Sequence, residues 1–183
     1  NVAKICNYLN IHSDKDAIFT NGAGNFAIWS GKYLNYSKEH RLLAPQAGAM
    51  GAGVPAALAA KSIYPNRQVI CFAGDGDFQM SASELGTAMQ EGLNPIILIH
   101  NNGSYGTIRM HQEMRYPKRV SGTNLKNPNF KCIAEAYNFG YSKITNLSEF
   151  KVAFEKAKTF DVGFIIEMLA DIKDISPGKI IDL

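Results

Sequence analysis

Two apolar runs end in residues that suit metal chemistry. Asp75 follows "QVICFAG" and Asn102 follows "PIILIHN". If these runs are neighbouring strands, a carboxylate and an amide oxygen meet at one place. Hard oxygen ligands of this kind suit Mg²⁺ or Ca²⁺. One carboxylate and one amide do not fill an octahedron, and Mg²⁺ completes its shell with ligand phosphates and water. Gly74, Gly76 and Gly103 beside them allow close backbone approach. Asp77 and the hydroxyls after it open a helix whose N-terminus favours an anion. The chemistry implied is a Mg²⁺-diphosphate site. Asp-Gly and Asn-Gly are also ordinary turn pairs. Their placement on consecutive strands is what favours the site.

The elements that must position these residues alternate along the chain. Strands are expected over 17–20, 41–44, 68–73, 95–100, 141–145 and 163–169, the second of them weak. Helices are expected from Asn1 over "NVAKICNYLN", and over 26–34, 51–64, 81–92, 127–140 and 146–160. The 81–92 helix has a Ser start and a Gly end, and the 146–160 helix a Ser148-Glu149 start. "GTIRMHQE" reads as a further helix after the Asn turn. The strongest strands are apolar throughout, as when both faces are covered. The fold expected is α/β, a six-stranded parallel sheet with helices on both faces. Ligands of such sheets bind beyond the carboxyl ends of the strands. Gly22-Ala23-Gly24, Gly74-Asp75-Gly76 and Asn101-Asn102-Gly103 all fall there. Residues 113–128 are polar, turn-rich and long for a connection, the profile of a lid.

Composition narrows the classes. With 183 residues there is enough chain for one domain with a full core. Net charge is +3 with no basic block, which argues against nucleic acid. No apolar run reaches the ~18 residues of a membrane helix. Cys6, Cys71 and Cys132 are far apart, form no C-x-x-C and read as core or incidental. A reducing cytoplasm fits them. The chain opens on Asn1 within helix-like spacing. That leads to the expectation of a fragment or processed product of something longer, holding part of a site.

"GDG" at 74–76, then residues 77–100, then "NN" at 101–102 resembles the thiamin-diphosphate signature. "TNGAGNFAIWSGKYL" and "QAGAMGAGVPAALAA" are similar to the same family, specifically the C-terminal, diphosphate-binding domain of its acetolactate-synthase-like group. The resemblance implies that Asp75, Asn102 and the backbone carbonyl of Ser104 hold Mg²⁺. It implies cofactor contacts from Asn25, Phe26, Gly74, Gly76, Asp77, Tyr105 and Gly106. Many relatives carry Ser where Asp77 stands, so its contact is expected through the backbone, with the carboxylate turned away. Met50 matches the apolar wedge that bends the cofactor's two rings toward each other, a use that suits a soft side chain. Gly48 matches the backbone carbonyl that bonds the pyrimidine amine. Taken without the resemblance, Met50 is a plain core methionine. His111 lies on the substrate side, where acetolactate synthases carry Trp, which makes it a specificity candidate or a helix-surface His. His100 reads as a core or near-site His, and Glu84 as a structural carboxylate.

The family's activating glutamate belongs to a separate pyrimidine-binding domain supplied by a partner subunit. Neither that domain nor the family's middle domain resembles any segment of 1–183, so no catalytic residue is assigned in this chain. The expectation is a single cofactor-binding domain over 1–183 of a thiamin-diphosphate-dependent decarboxylase or carboligase. It would act on a small 2-oxo acid, in a homodimer or homotetramer, with FAD an option for the parent's middle domain. The alternatives are a standalone subunit of a two-chain decarboxylase and, in another class, a non-catalytic Mg²⁺-nucleotide module. Against the module, no G-x-G-x-x-G or G-x-x-x-x-G-K-[ST] loop occurs.

Overall fold

The apolar runs become the middle of a parallel sheet because each alternates its side chains between two cores. In a computed structural model, residues 2–180 are described, without the side chains of Ile175, Lys179 and Ile180. Asn1, where the first helix was expected to open, lies outside the described residues. The strands are β1 (Ile18–Asn21), β2 (Arg41–Leu43), β3 (Val69–Gly74), β4 (Ile96–Asn101), β5 (Gly140–Ile144) and β6 (Phe164–Leu169). They pair in the order β2-β1-β3-β4-β6-β5, and every pairing is parallel.

Ile70 and Phe72 of β3, with Ile96 and Leu98 of β4, face one core. That core is closed by helices α1 (Val2–His12), α2 (Phe26–Tyr33) and, late in the chain, the helix Leu147–Lys158. Val69, Cys71, Ala73, Ile97 and Ile99 face the other. Here α3 (Gly53–Ile63), α4 (Asp75–Gln79), α5 (Leu85–Glu91) and the helix Phe130–Ala136 supply the cover. Two-sided burial is what makes these strands apolar on both faces. Each fully buried Ile or Phe removes enough surface from water to stabilise by ~1.5–3 kcal/mol. Strand β2, at the edge, is exposed throughout, which accounts for its weak pattern.

Several boundaries differ from the sequence reading. The expected helix over 81–92 is a 3₁₀ turn at Ala82–Glu84 followed by α5. Ser81 makes no side-chain cap, because α4 already runs from Asp75 into this turn. Gly92 does close α5 in the left-handed region, with φ of 63°. Helix α6 (Gly106–Arg115) follows the Asn turn and takes the first residues of the expected lid. The helix expected over 127–140 is α7 (Phe130–Ala136), started by Asn129, whose side chain accepts from Lys131 N and Cys132 N. Helix α8 (Leu147–Lys158) is capped by Asn146, not by Ser148. Asn146 accepts from Glu149 N (3.0 Å), and Glu149 accepts from Thr145 N (2.7 Å). A short antiparallel pair, β7 (Asp174–Ser176) and β8 (Lys179–Ile180), was not anticipated.

The topology fixes where a ligand can sit. The chain steps outward from β1 to β2, then crosses back past β1 to β3. Direction therefore reverses between β1 and β3, and the crevice beyond their carboxyl ends is the binding position of such sheets.

Candidate functional site

A cleft of about 370 Å³ opens at this reversal point, within the ~300–1,000 Å³ of small-molecule sites. All of Asn25, Phe26, Gly48, Met50, Gly74, Asp75, Gly76, Asp77, Asn102, Ser104, Tyr105 and Gly106 line it. Ala23 and Gly24 follow β1, Asp75 opens α4 after β3, and Asn102 follows β4. Parallel register sets Gly74 beside His100, so the two strands are neighbours and their ends lie side by side.

Asp75 is 2% exposed. Its Oδ2 accepts from Gly103 N (2.8 Å) and Asn127 Nδ2 (2.7 Å). Burial raises its pKa, against the hydrogen bonds from Asn127, Gly76 and Gly103. Asn102 Oδ1 accepts from Ser104 N (3.1 Å). Ser104 pairs with Asn124 in a single antiparallel bridge. The bonds of that bridge are Tyr105 N to Thr123 O (2.9 Å) and Leu125 N to Gly103 O (2.8 Å). Such a pair turns the N–H and C=O of Ser104 away from the 123–125 segment, to the side where Asn102 lies. Gly103, at φ of 66°, makes the left-handed turn that this geometry needs.

Asp77 takes a different direction. Its Oδ1 accepts from Gly51 N (2.8 Å) and Ala23 N (3.1 Å). The carboxylate thus ties the loop after β1 to the turn that carries Met50. Burial raises its pKa, with the Gly51 and Ala23 amides opposing. Asn25 is held from the other side of the cleft, where Thr107 Oγ1 donates to its Oδ1 (3.0 Å). His100 is buried in the cleft wall, and desolvation pushes its pKa down to about 4, so the ring is neutral.

Gly76 shows how closely the wall is built. A Cβ there would stand 2.5 Å from the Tyr105 ring and 3.0 Å from Leu125. Among the described residues, no group of three or more His, Cys, Asp and Glu forms a metal cage. The donors that could serve a cation are one carboxylate, one amide oxygen and one backbone carbonyl. That set fits a hard ion whose shell is completed by phosphate oxygens.

His111 is exposed on α6 and is not part of the cleft lining. It stands one turn beyond Ile108, which does line the cleft, so the two share a helix face at its mouth. Glu84 lies outside the cleft and accepts from Thr87 Oγ1 (3.1 Å). Sequence reasoning missed Thr107, Asn127, Ile172 and Asp174. Thr107 lay within the expected α6 and could have been found by asking what faces Asn25. Asn127 opens the stretch read as a helix over 127–140, Ile172 lies in the turn after β6, and Asp174 begins the unanticipated β7.

A parallel α/β sheet with an oxygen-lined, glycine-walled cleft at its reversal point defines a phosphate-cofactor domain. Residues 22–168 match the family described as thiamine pyrophosphate enzyme, C-terminal TPP binding domain, and the chain belongs to that family. It is 34% identical over 172 residues to an acetolactate synthase large subunit of Porphyra purpurea, covering 90% of this chain and 29% of that protein. The acetolactate synthase large subunit of Lactococcus lactis is 36% identical over 137 residues, 74% of this chain and 24% of the relative. Among solved structures, the thiamine diphosphate-dependent 4-hydroxybenzoylformate decarboxylase of Rhodococcus jostii RHA1 superposes with a TM-score of 0.86 at 26% identity. That match covers 93% of this chain and 32% of the decarboxylase. The chain thus spans under a third of the length of these relatives.

Proposed function

We propose that this chain is the single cofactor-binding domain of a thiamin-diphosphate-dependent enzyme that decarboxylates a small 2-oxo acid and passes the product to a second carbonyl or to a proton. When bound, the cofactor supplies the electron sink that decarboxylation needs. The chain's own residues supply position and charge. Asp75, Asn102 and the Ser104 carbonyl hold Mg²⁺, which neutralises the diphosphate. Asn25, Phe26, Gly74, Gly76, Tyr105, Gly106 and the Asp77 backbone surround that diphosphate. Met50 is the wedge between the two rings, and the Gly48 carbonyl accepts from the pyrimidine amine. His111, at the mouth, helps select the substrate. The activating glutamate comes from a pyrimidine-binding domain of a partner subunit, in a cytoplasmic homodimer or homotetramer.

The observation that carries this reading is the meeting of Asp75 and Asn102 at adjacent strand ends, beside a cleft that also holds Met50. Calorimetry with thiamin diphosphate, with and without Mg²⁺, tests it. Binding is expected only with the metal, and Asp75→Ala is expected to lose it. A variant that binds Mg²⁺-thiamin diphosphate as tightly as the wild type would remove Asp75 from the metal. Tighter binding of ATP or NAD would favour a nucleotide module instead.

A further inference from the structure

The first asparagine of the pair, Asn101, has no role in the metal site proposed above, and Asn127 was not part of any motif. The two side chains nevertheless form a continuous chain of hydrogen bonds between two carboxylates. Asn101 Nδ2 donates to Glu167 Oε1 (2.7 Å). Glu167 is 3% exposed, and it is held on its other oxygen by the Tyr141 hydroxyl and approached by Lys143 Nζ at 3.6 Å. Asn101 Oδ1 accepts from Asn127 Nδ2 (2.8 Å), and the same amide donates to Asp75 Oδ2 (2.7 Å). Asn127 Oδ1 accepts from Gln79 Nε2 (2.9 Å).

The polarity of this chain is fixed at both ends. An ionised carboxylate only accepts. Glu167 therefore demands the NH₂ end of Asn101, which leaves the Asn101 oxygen facing Asn127. Asn127 must then present its NH₂, with one hydrogen for Asn101 and one for Asp75. Its oxygen is left for Gln79. No flipped arrangement satisfies all four partners.

We infer that Asn127 is a positioning residue for the metal site, fixing the Asp75 carboxylate by donation, with Asn101 and Glu167 setting the direction in which it donates. Together with Gly103 N, Asn127 occupies Oδ2 of Asp75. The carboxylate can then turn only its other oxygen toward a cation. Residues that orient a metal ligand in this way are typically worth ~10–100-fold in metal affinity. Asn127 also stands on the irregular segment after α6, so it binds that segment to the metal ligand. The inference rests on the reading of Asp75 as a Mg²⁺ ligand.

The test is the Mg²⁺ dissociation constant of the protein at saturating thiamin diphosphate, by calorimetry, with the unfolding midpoint in EDTA measured alongside. Asn127→Asp keeps the shape but sets an acceptor against Asp75. Asn127→Ala, at a half-buried position, removes the donor alone. Both are expected to weaken Mg²⁺ ~10–100-fold, Asn127→Asp at least as much as Asn127→Ala, with the EDTA midpoint of Asn127→Ala close to that of the wild type. A packing role predicts the reverse order, since Asp fills the space that Ala vacates, and that order would overturn the inference. Should Asn127→Asp not fold, an Asn127→Ala affinity within about twofold of wild type overturns it equally. Asp75→Asn separates the two claims. If Asp75→Asn loses Mg²⁺ while both Asn127 variants keep it, the positioning role fails and the metal reading stands. If Asp75→Asn keeps wild-type affinity, the metal reading fails and the inference with it.

Discussion

Asp75 and Asp77 stand two residues apart, are equally buried, and face opposite duties. Asp75 turns toward the Asn turn after β4 and the segment beyond α6, and Asp77 toward the loops after β1 and before α3. Gly76 separates them where the wall has no room. The Cβ of Gly76→Ala would meet the Tyr105 ring at 2.5 Å, so Tyr105 and Leu125 must shift. Overpacking of this kind costs ~1–3 kcal/mol. Because the displaced ring lines the cleft, the loss is expected in thiamin diphosphate affinity, about 10- to 100-fold. Equal affinities of Gly76→Ala and wild type in calorimetry would refute the close approach. Much of the site at this scale was legible, because Asp75 and Asn102 interrupt apolar runs and so announce strand ends. The hydrogen-bond partners that fix them were not. Asn127 and Thr107 lie far from Asp75 and Asn25 in sequence, and only the fold brings them together.

Elements were legible in proportion to their burial. β3, β4 and β6 were found within a residue or two because two covered faces leave a largely apolar run. Helix starts were harder, since Ser, Thr, Asn and Glu crowd the same few positions and any of them can cap. At α8 the structure chooses Asn146. Removing it in Asn146→Ala is expected to cost ~1 kcal/mol of stability, seen as a lowered denaturant midpoint. Glu149 adds a pH dependence at the same place. The Thr145 backbone N–H bonded to it holds its carboxyl below the usual carboxylate range. A depressed folded-state pKa contributes stability above the unfolded value, which is lost as pH falls through the folded one. Glu149→Gln should therefore be less stable than wild type at neutral pH, and the two should converge in acid. A gap that stays constant down to low pH would show that the carboxylate charge contributes nothing. The 116–128 segment was legible only as long and polar. Its ties through Thr123, Leu125 and Asn127 pass to the residues around Asp75, so amide exchange there should slow when cofactor and Mg²⁺ bind.

At the scale of the whole molecule, the carboxylates lining the cleft among the described residues are Asp75, Asp77 and Asp174. The first two already accept from backbone amides. Neither is placed as a free acid for the pyrimidine ring of the cofactor, and proton transfer by a positioned group is worth ~10²–10⁴-fold. The 183-residue chain alone, given Mg²⁺ and thiamin diphosphate, is therefore expected to bind the cofactor but release no CO₂ from 2-oxo acids. A coupled assay that detects turnover would point to Asp174 as the first carboxylate to reconsider. Alternation of strand and helix made the layered architecture readable from the sequence, and the strand ends gave the side on which the cleft opens. The β7–β8 pair was not readable. It is short, and Asp174 of β7, with Ile172 just before it, reaches the cleft only through the path the chain takes after β6.

The three thiols are distributed one to each layer and one to the surface. Cys6 is on the buried side of α1 against one face of the sheet, Cys71 is in β3 facing the other, and Cys132 is exposed on α7. Burial pushes both inner thiols up to about 12, and it is the thiolate that attacks an alkylating reagent. An alkylating label therefore marks the folded molecule once, at Cys132. Any second label records the opening of a layer, and peptide mapping of which cysteine carries it tells which face of the sheet parted first.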